Sequence, residues 1–305
     1  MNANQRLASL APFFFDLSIF DLFTGLGSGA HILFVPASLT LAPTKLTAWL
    51  DEQQISIWYT VPSILGFIAI KGNLAKISLP RLKTIMFAGE VFPTRKLSLL
   101  IKQLPHVEFH NLYGPTETNV CTHWAVDKNR LDTDTQIPIG SAACGAQLKI
   151  NLDNQELQVK GDCLLSGYWI NGQLVPAIDD SGWYSTGDKV SLDSSGELLY
   201  HGRLDRMLKC SAYRIEPAEI EQQILLISGV TGCAVVGIDD EVSGQRPAAA
   251  LILQPKHELS EIAKCIREKL PAYMQPFRLK VMMEFPYLSN GKIDYPSIIR
   301  EFNGG

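Results

Sequence analysis

No stretch of this sequence approaches the about 18 consecutive apolar residues that a membrane-spanning helix needs, so none is expected. The opening MNANQRLASL has no charged segment followed by a long apolar one, which argues against a secretory leader and for a cytoplasmic protein. Positive charge is not in excess. Against 27 Lys and Arg stand 31 Asp and Glu, a net charge of −4, so neither nucleic acid nor an acidic membrane is an expected partner. Cysteine is sparse and scattered, at Cys121, Cys144, Cys163, Cys210, Cys233 and Cys265, with no CxxC pair and no histidine cluster beside it. That excludes the spacing of a structural zinc site, argues against a disulfide framework at this length and suits reduced thiols. Internal repeats and low-complexity tracts are missing too.

What is present is an ordinary globular composition, 46% hydrophobic and 19% charged, over 305 residues, enough for two domains and a large core. Apolar runs at 31–35, 56–59, 84–88 and 107–112 predict buried strands. Amphipathic segments at 43–53, 62–71 and 93–104 predict helices, each with a proline near its first turn. This alternation predicts an α/β core with a largely parallel sheet. From about 136 to 200 short strands separated by Asp-rich turns suggest a small β-rich subdomain. A compact α+β unit follows, with a turn and strand over 208–215, helices over 216–226 and 259–270, and strands over 230–238 and 248–253. The boundary is expected near 202–206. Gly25, Gly27 and Ala30 match a G-x-G-x-x-A fingerprint, but a helix precedes them and a strand follows, the reverse of the dinucleotide-binding order.

Residues 111–117 read NLYGPTE after a predicted strand. The ring of Tyr113 can stack on a base, Thr116 can reach a phosphate, and Glu117 can hold a magnesium ion on phosphate oxygens. Taken alone, the segment reads better as a turn with a solvated Thr-Glu helix start. Residues 183–188 read WYSTGD, and the Asp188 carboxylate can accept both hydroxyls of a ribose. Arg203, in the GRLD stretch that follows, can reach the ribose or a phosphate. KCSAYRIEPAEIE at 209–221, PAYMQP at 271–276 and NGKID at 290–294 complete the series.

In this order the segments resemble the adenylation domains of nonribosomal peptide synthetases and their stand-alone relatives, a superfamily that includes acyl-CoA synthetases and luciferases. FFFDLSIFDLF at 13–23 resembles the substrate-aspartate motif and QELQVKGDCLLSGYW at 155–169 the motif before the ribose-binding segment. The resemblance implies an α/β fold in which 1–202 are the C-terminal part of the large AMP-binding domain and 203–305 the small mobile domain. It also implies a two-step reaction. An amino-acid carboxylate attacks the α-phosphorus of ATP, with Mg2+ at Glu117, giving an acyl-adenylate and pyrophosphate, and the phosphopantetheine thiol of a carrier protein then takes the acyl group and releases AMP. Lys292 matches the catalytic lysine that bridges the carboxylate and the α-phosphate. Losing one such donor costs about 3–4 kcal/mol of barrier. Thr116 and Glu117 belong with it, and Tyr113, Gly114, Asp188 and Arg203 match nucleotide-binding positions. Asp205 matches the hinge, and Lys209 and Ala212 lie in the loop that serves the thiol half-reaction.

Asp16 matches the residue that pairs with the substrate ammonium, which separates amino-acid from fatty-acid activation. The positions matching the side-chain pocket are Leu17, Phe20, Tyr59, Met86, Ala88, Leu112, Val120 and Cys121. None is charged, so the pocket suits a compact apolar side chain and rejects an ionised one. The series resembles that of stand-alone L-prolyl ligases, with D-alanine or another small apolar amino acid as the alternative substrate. Two departures stand out. Ala212 and Ala218 replace glycines common in the family, and Ala212 is expected to crowd the pantetheine and impair thioester formation. The family's Ser/Thr/Gly-rich phosphate loop has no counterpart before Asp16, so the chain is expected to be inactive alone, to expose apolar faces and strand edges, and to need a separate N-terminal half. A non-catalytic module binding amino acid, AMP or a carrier protein, and an inert remnant, are the competing readings.

Overall fold

The computed structural model describes all residues except 14, 130, 132–134, 179–180, 211–212, 241–243, 289–290 and 304–305; for Asp205, Lys209, Cys210, Tyr213 and Arg214 it describes the backbone alone. The chain divides into two compact units, one of residues 1–151, 157–186 and 192–199, the other of 152–156, 187–191 and 200–305.

The first unit is built on a seven-stranded sheet of order β2-β1-β3-β4-β5-β6-β7. Its strands are β1 (Arg6–Ser9), β2 (His31–Phe34), β3 (Ile57–Thr60), β4 (Thr84–Phe87), β5 (Glu108–Tyr113), β6 (Thr122–Ala125) and β7 (Ser141–Ala142). Strands β1 to β5 pair in parallel, whereas β6 and β7 add antiparallel at one edge. Parallel neighbours need crossovers. After a short helical stretch at residues 17–27, they are supplied by α3 (Pro43–Glu52), α4 (Pro62–Lys71) and α5 (Thr94–Gln103). Proline opens α3 and α4 at the first turn, where its missing N–H costs nothing. In α5, Pro93 stands one residue before the helix, with ψ 123.

Alternation along the strands divides the sheet's two faces. Ile85, Phe87, Phe109 and Trp124 meet Leu50, Leu65, Leu97 and Leu100 in the main core. The opposite face carries Tyr59, Met86, Ala88 and Leu112, packed with Leu17 and Phe20. Those two residues lie in the helical stretch, which runs as α1 (Leu17–Ile19), a π-helical turn Phe20–Thr24 and α2 (Gly25–Gly27). Strand β2 follows α2, so the glycines end a helix rather than open one. A Cβ on Gly25 would come within 3.0 Å of the Ile32 side chain, so close packing accounts for that glycine. Strand β1 has no alternating signature in its sequence. Its burial follows from pairing on both sides, with β2 and β3.

A four-stranded sheet, order β13-β12-β9-β8, is formed by β8 (Gln147–Ile150), β9 (Glu156–Lys160), β12 (Tyr184–Leu192) and β13 (Leu198–Arg203). A separate hairpin pairs β10 (Tyr168–Ile170) with β11 (Gln173–Val175).

In the second unit, β14 (Leu208–Cys210), β15 (Tyr213–Ile215), β16 (Val230–Asp240), β17 (Gly244–Leu253) and β18 (Arg278–Val281) make a sheet centred on the long β16–β17 hairpin. On one face α6 (Pro217–Leu225) and α7 (Leu259–Lys269) cover Val235, Ala249 and Leu251. On the other, α8 (Tyr295–Asn303) covers Ala234, Val236, Ala248 and Ala250. Strand β18 and helix α8 were not anticipated. Strand β17 also starts four residues before the expected 248, because pairing across the hairpin recruits the polar Gly-Gln-Arg-Pro segment. Among the described residues no helix is long and apolar enough to cross a membrane.

Candidate functional site

In the first unit, Asp16 stands at the N-terminus of α1, half-buried. Its Oδ2 accepts a hydrogen bond of 2.8 Å from the Thr116 hydroxyl, one hundred residues away in sequence. Beside it Leu17, Phe20, Tyr59, Met86, Ala88 and Leu112 gather in one apolar cluster, with the Phe20 and Tyr59 rings edge to face at 5.6 Å. An anionic group beside uncharged side chains suits a cationic head joined to a compact apolar body. Burial, and the charges of Asp16 and Asp21, push the Tyr59 phenol well above its usual range.

His110 and His123 lie on the sheet face of Met86 and Leu112, stacked and joined by a 3.0 Å hydrogen bond. Burial, reinforced by His123, holds His110 below its ordinary value.

Residues 113–121 form a closed turn. The Cys121 N–H donates to the Tyr113 carbonyl at 2.9 Å, and the Thr118 and Asn119 amides turn back onto Pro115 and Thr116. The segment is thus a turn, not a helix start. Gly114 is required by close approach, since a Cβ there would lie 1.6 Å from the Asn119 carbonyl oxygen. The turn buries Cys121, leaves Val120 half-buried and presents Thr116 and Glu117 side by side. Glu117 Oε1 accepts a 2.9 Å hydrogen bond from the Tyr168 hydroxyl. Among the described residues no group of three or more His, Cys, Asp or Glu gathers to hold a metal. A lone carboxylate such as Glu117 fits Mg2+, which keeps several waters and takes its other ligands from substrate phosphates.

In the second unit, Asp188 is buried on β12 and lies 3.8 Å from the half-exposed Arg203 guanidinium. Gly187, at φ +72, brings the chain against that guanidinium, and its N–H donates to Glu156. Tyr200 belongs to this group. Burial, then the Asp188 charge, raises its phenol far above its ordinary value. A lone tyrosine on a strand carried no sequence signal.

Lys292 is exposed, its carbonyl accepts from the Leu288 N–H, and Gly291 before it takes φ +83. Asp294 then caps α8 by accepting from the Ser297 N–H. Asp205 lies in a single 3-10 turn, Leu204–Arg206, and Lys209 in β14. Ala212 lies outside the described residues. Ala218 is described, and its methyl packs toward Gly202, which has φ +107.

Comparison with known proteins matches residues 1–169 to the AMP-binding enzyme family and residues 219–292 to the AMP-binding enzyme C-terminal domain. The L-proline–[L-prolyl-carrier protein] ligase of Streptomyces coelicolor is 38% identical over 94% of this chain and 57% of its own length. The ligase of the same name from Pseudomonas fluorescens is 33% identical over 98% of the chain and 61% of its own length. A D-alanine–D-alanyl carrier protein ligase from Bacillus cereus is 29% identical over 99% of the chain and 64% of its own length. The chain therefore spans about three fifths of the curated relatives it matches. Among solved structures, that of IdnL7 superposes with a TM-score of 0.84 at 27% identity, covering 100% of this chain and 61% of that one.

Proposed function

Because the chain belongs to the AMP-binding enzyme family, we propose that it supplies the amino-acid pocket and part of the nucleotide site of a ligase. That ligase activates L-proline as prolyl-AMP and passes it to the phosphopantetheine thiol of a carrier protein. The observation that carries the proposal is the Asp16 carboxylate beside the apolar cluster of Leu17, Phe20, Tyr59, Met86, Ala88 and Leu112. The names of the two proline ligases support the choice of substrate. A carboxylate has about four acceptor sites. Thr116 occupies one, which leaves Asp16 able to accept from the secondary ammonium of proline while the ring enters the cluster. A charged side chain would lose its hydration there without a partner.

In this reading 1–202 serve as the large-domain portion and 203–305 as the small domain, turning at Asp205. Tyr113 stacks on the base, Gly114 lets the turn close, and Asp188 and Arg203 hold the ribose. Lys292 offsets the charge that grows as carboxylate meets α-phosphate. The loop of Lys209 and Ala212 serves the thiol step. Mg2+, held by Glu117, would neutralise phosphate oxygens when bound.

The test is exchange of labelled pyrophosphate into ATP, run on this chain alone and with the N-terminal portion of a longer relative supplied. Proline-dependent exchange is expected in the complemented sample. Asp16→Ala should abolish its amino-acid dependence, and Lys292→Ala should slow it about 10²–10³-fold. Exchange driven by D-alanine in preference to proline would overturn the substrate assignment.

A further inference from the structure

The motif at 155–169 has no role in the function proposed above, yet its last residues reach the turn that carries Glu117. Two hydrogen bonds tie them together. The Leu165 N–H donates to the Glu117 carbonyl at 2.8 Å, and the Tyr168 hydroxyl donates to Glu117 Oε1 at 2.9 Å. One fixes the backbone of Glu117 and the other its carboxylate.

Glutamate has three side-chain torsions, and holding it in one rotamer costs side-chain entropy. The half-buried Glu117 gains that order from a partner on a hairpin rather than on a loose loop. Strand β10 starts at Tyr168 and pairs through Tyr168↔Val175, Trp169↔Leu174 and Ile170↔Gln173. The residue before it, Gly167, has φ +146, and a Cβ there would lie 2.5 Å from the Val175 carbonyl oxygen. Glycine is thus what lets β10 start close enough to β11 to aim Tyr168. Tyrosine suits the task. Its ring is rigid, its hydroxyl donates, and it carries no charge to compete with a cation.

We propose that Tyr168 is a positioning residue for Glu117: its hydroxyl fixes one carboxylate oxygen so that the carboxylate meets the Mg2+ on the nucleotide phosphates in a single orientation. This rests on the reading of Glu117 as the metal-facing residue. Partners that orient a metal-binding carboxylate in this way typically contribute about 10–100-fold to metal affinity.

The experiment measures ATP binding to the full chain by calorimetry with and without Mg2+, and takes the ratio of the two affinities. Tyr168→Phe removes only the hydroxyl of a side chain on a residue 41% exposed, so folding is expected to persist. It should shrink the Mg2+-dependent gain about tenfold and leave Mg2+-free binding unchanged. Gly167→Ala, which displaces the start of the hairpin, should shift the ratio the same way. Glu117→Gln should remove the gain altogether. A full gain in Tyr168→Phe, with the gain lost in Glu117→Gln, overturns the inference alone. Equal weakening with and without Mg2+ also overturns it, since that is the mark of a merely structural hydroxyl. An unmodified chain whose ATP binding ignores Mg2+ overturns the assignment of Glu117 and this inference with it.

Discussion

Asp21 is the least comfortable residue of the first unit. It is buried, and among the described residues neither carboxylate oxygen has a well-aligned hydrogen-bond partner, although the Ser9 hydroxyl lies beside it. Burial raises its pKa from 3.8 to about 7, only partly opposed by Ser9. The folded state therefore holds a proton that the unfolded chain releases near pH 4. Stability associated with this residue is present at acid pH and lost as pH rises from about 4 through about 7. The shift of about three units corresponds to roughly 4 kcal/mol. Asp21→Asn should remove that loss, so its advantage over the parent in urea unfolding should grow between pH 5 and pH 8. A difference that stays constant over that range would show that the carboxyl is not titrating there. Gly114 makes a second point at this scale. With its Cβ position 1.6 Å from a carbonyl oxygen, Gly114→Ala must open the 113–121 turn, at a cost of about 3 kcal/mol visible in thermal melting.

Among the elements, the β16–β17 hairpin of the second unit is anchored by an ion pair as well as by its apolar faces. Glu221 on α6 accepts from Arg206 at 2.9 Å and from the Val235 N–H of β16 at 2.8 Å, and the Arg206 guanidinium lies 3.6 Å over the Tyr295 ring at the start of α8. One arginine thus joins a helix to the sheet and touches a second helix. Its own net contribution is small, because burying the pair costs hydration, but breaking it leaves Glu221 charged with a lost partner. Arg206→Ala should destabilise by about 3–5 kcal/mol, whereas Arg206→Met combined with Glu221→Leu should cost far less. Chemical denaturation of the parent and the two variants checks this, and a double variant destabilised as much as Arg206→Ala would refute it.

Across the whole molecule, apolar surface is unevenly hidden. Ile19, Phe23 and Leu26 form an exposed stripe along the helical stretch at 17–27. The ring of the exposed Phe13 meets that of Phe34 on the edge strand β2 at 5.7 Å. Phe23 is 72% exposed and Phe34 59%. Clusters of this kind beside an open strand edge mark association surfaces. Sedimentation velocity should show mass rising with protein concentration, and Phe23→Glu with Phe34→Lys should suppress the rise. A monomer that persists at high concentration would count against the idea.

Local chemistry determined a good deal without any structure. Proline at the first turn places α3 and α4, and apolar runs between turn residues place β2 to β5 within a residue or two. The series from Leu17 to Leu112 is named by the resemblance to the adenylation family, and residue type adds only that none of its members is charged. These signals are short-range, carried by the side chain and its immediate neighbours. Strand β1 is different: four residues become the centre of a sheet only because β2 and β3 flank them. Thr116 looks free for a phosphate in the sequence but meets Asp16, a partner 100 residues distant, and Tyr168 meets Glu117 across 51. The sharing of Glu221 between Arg206 and Val235, and the burial of Asp21 beside Ser9, likewise belong to the fold. Hydrogen bonds and desolvation depend on which groups the packed chain brings within about 3 Å, and no local pattern encodes that distance.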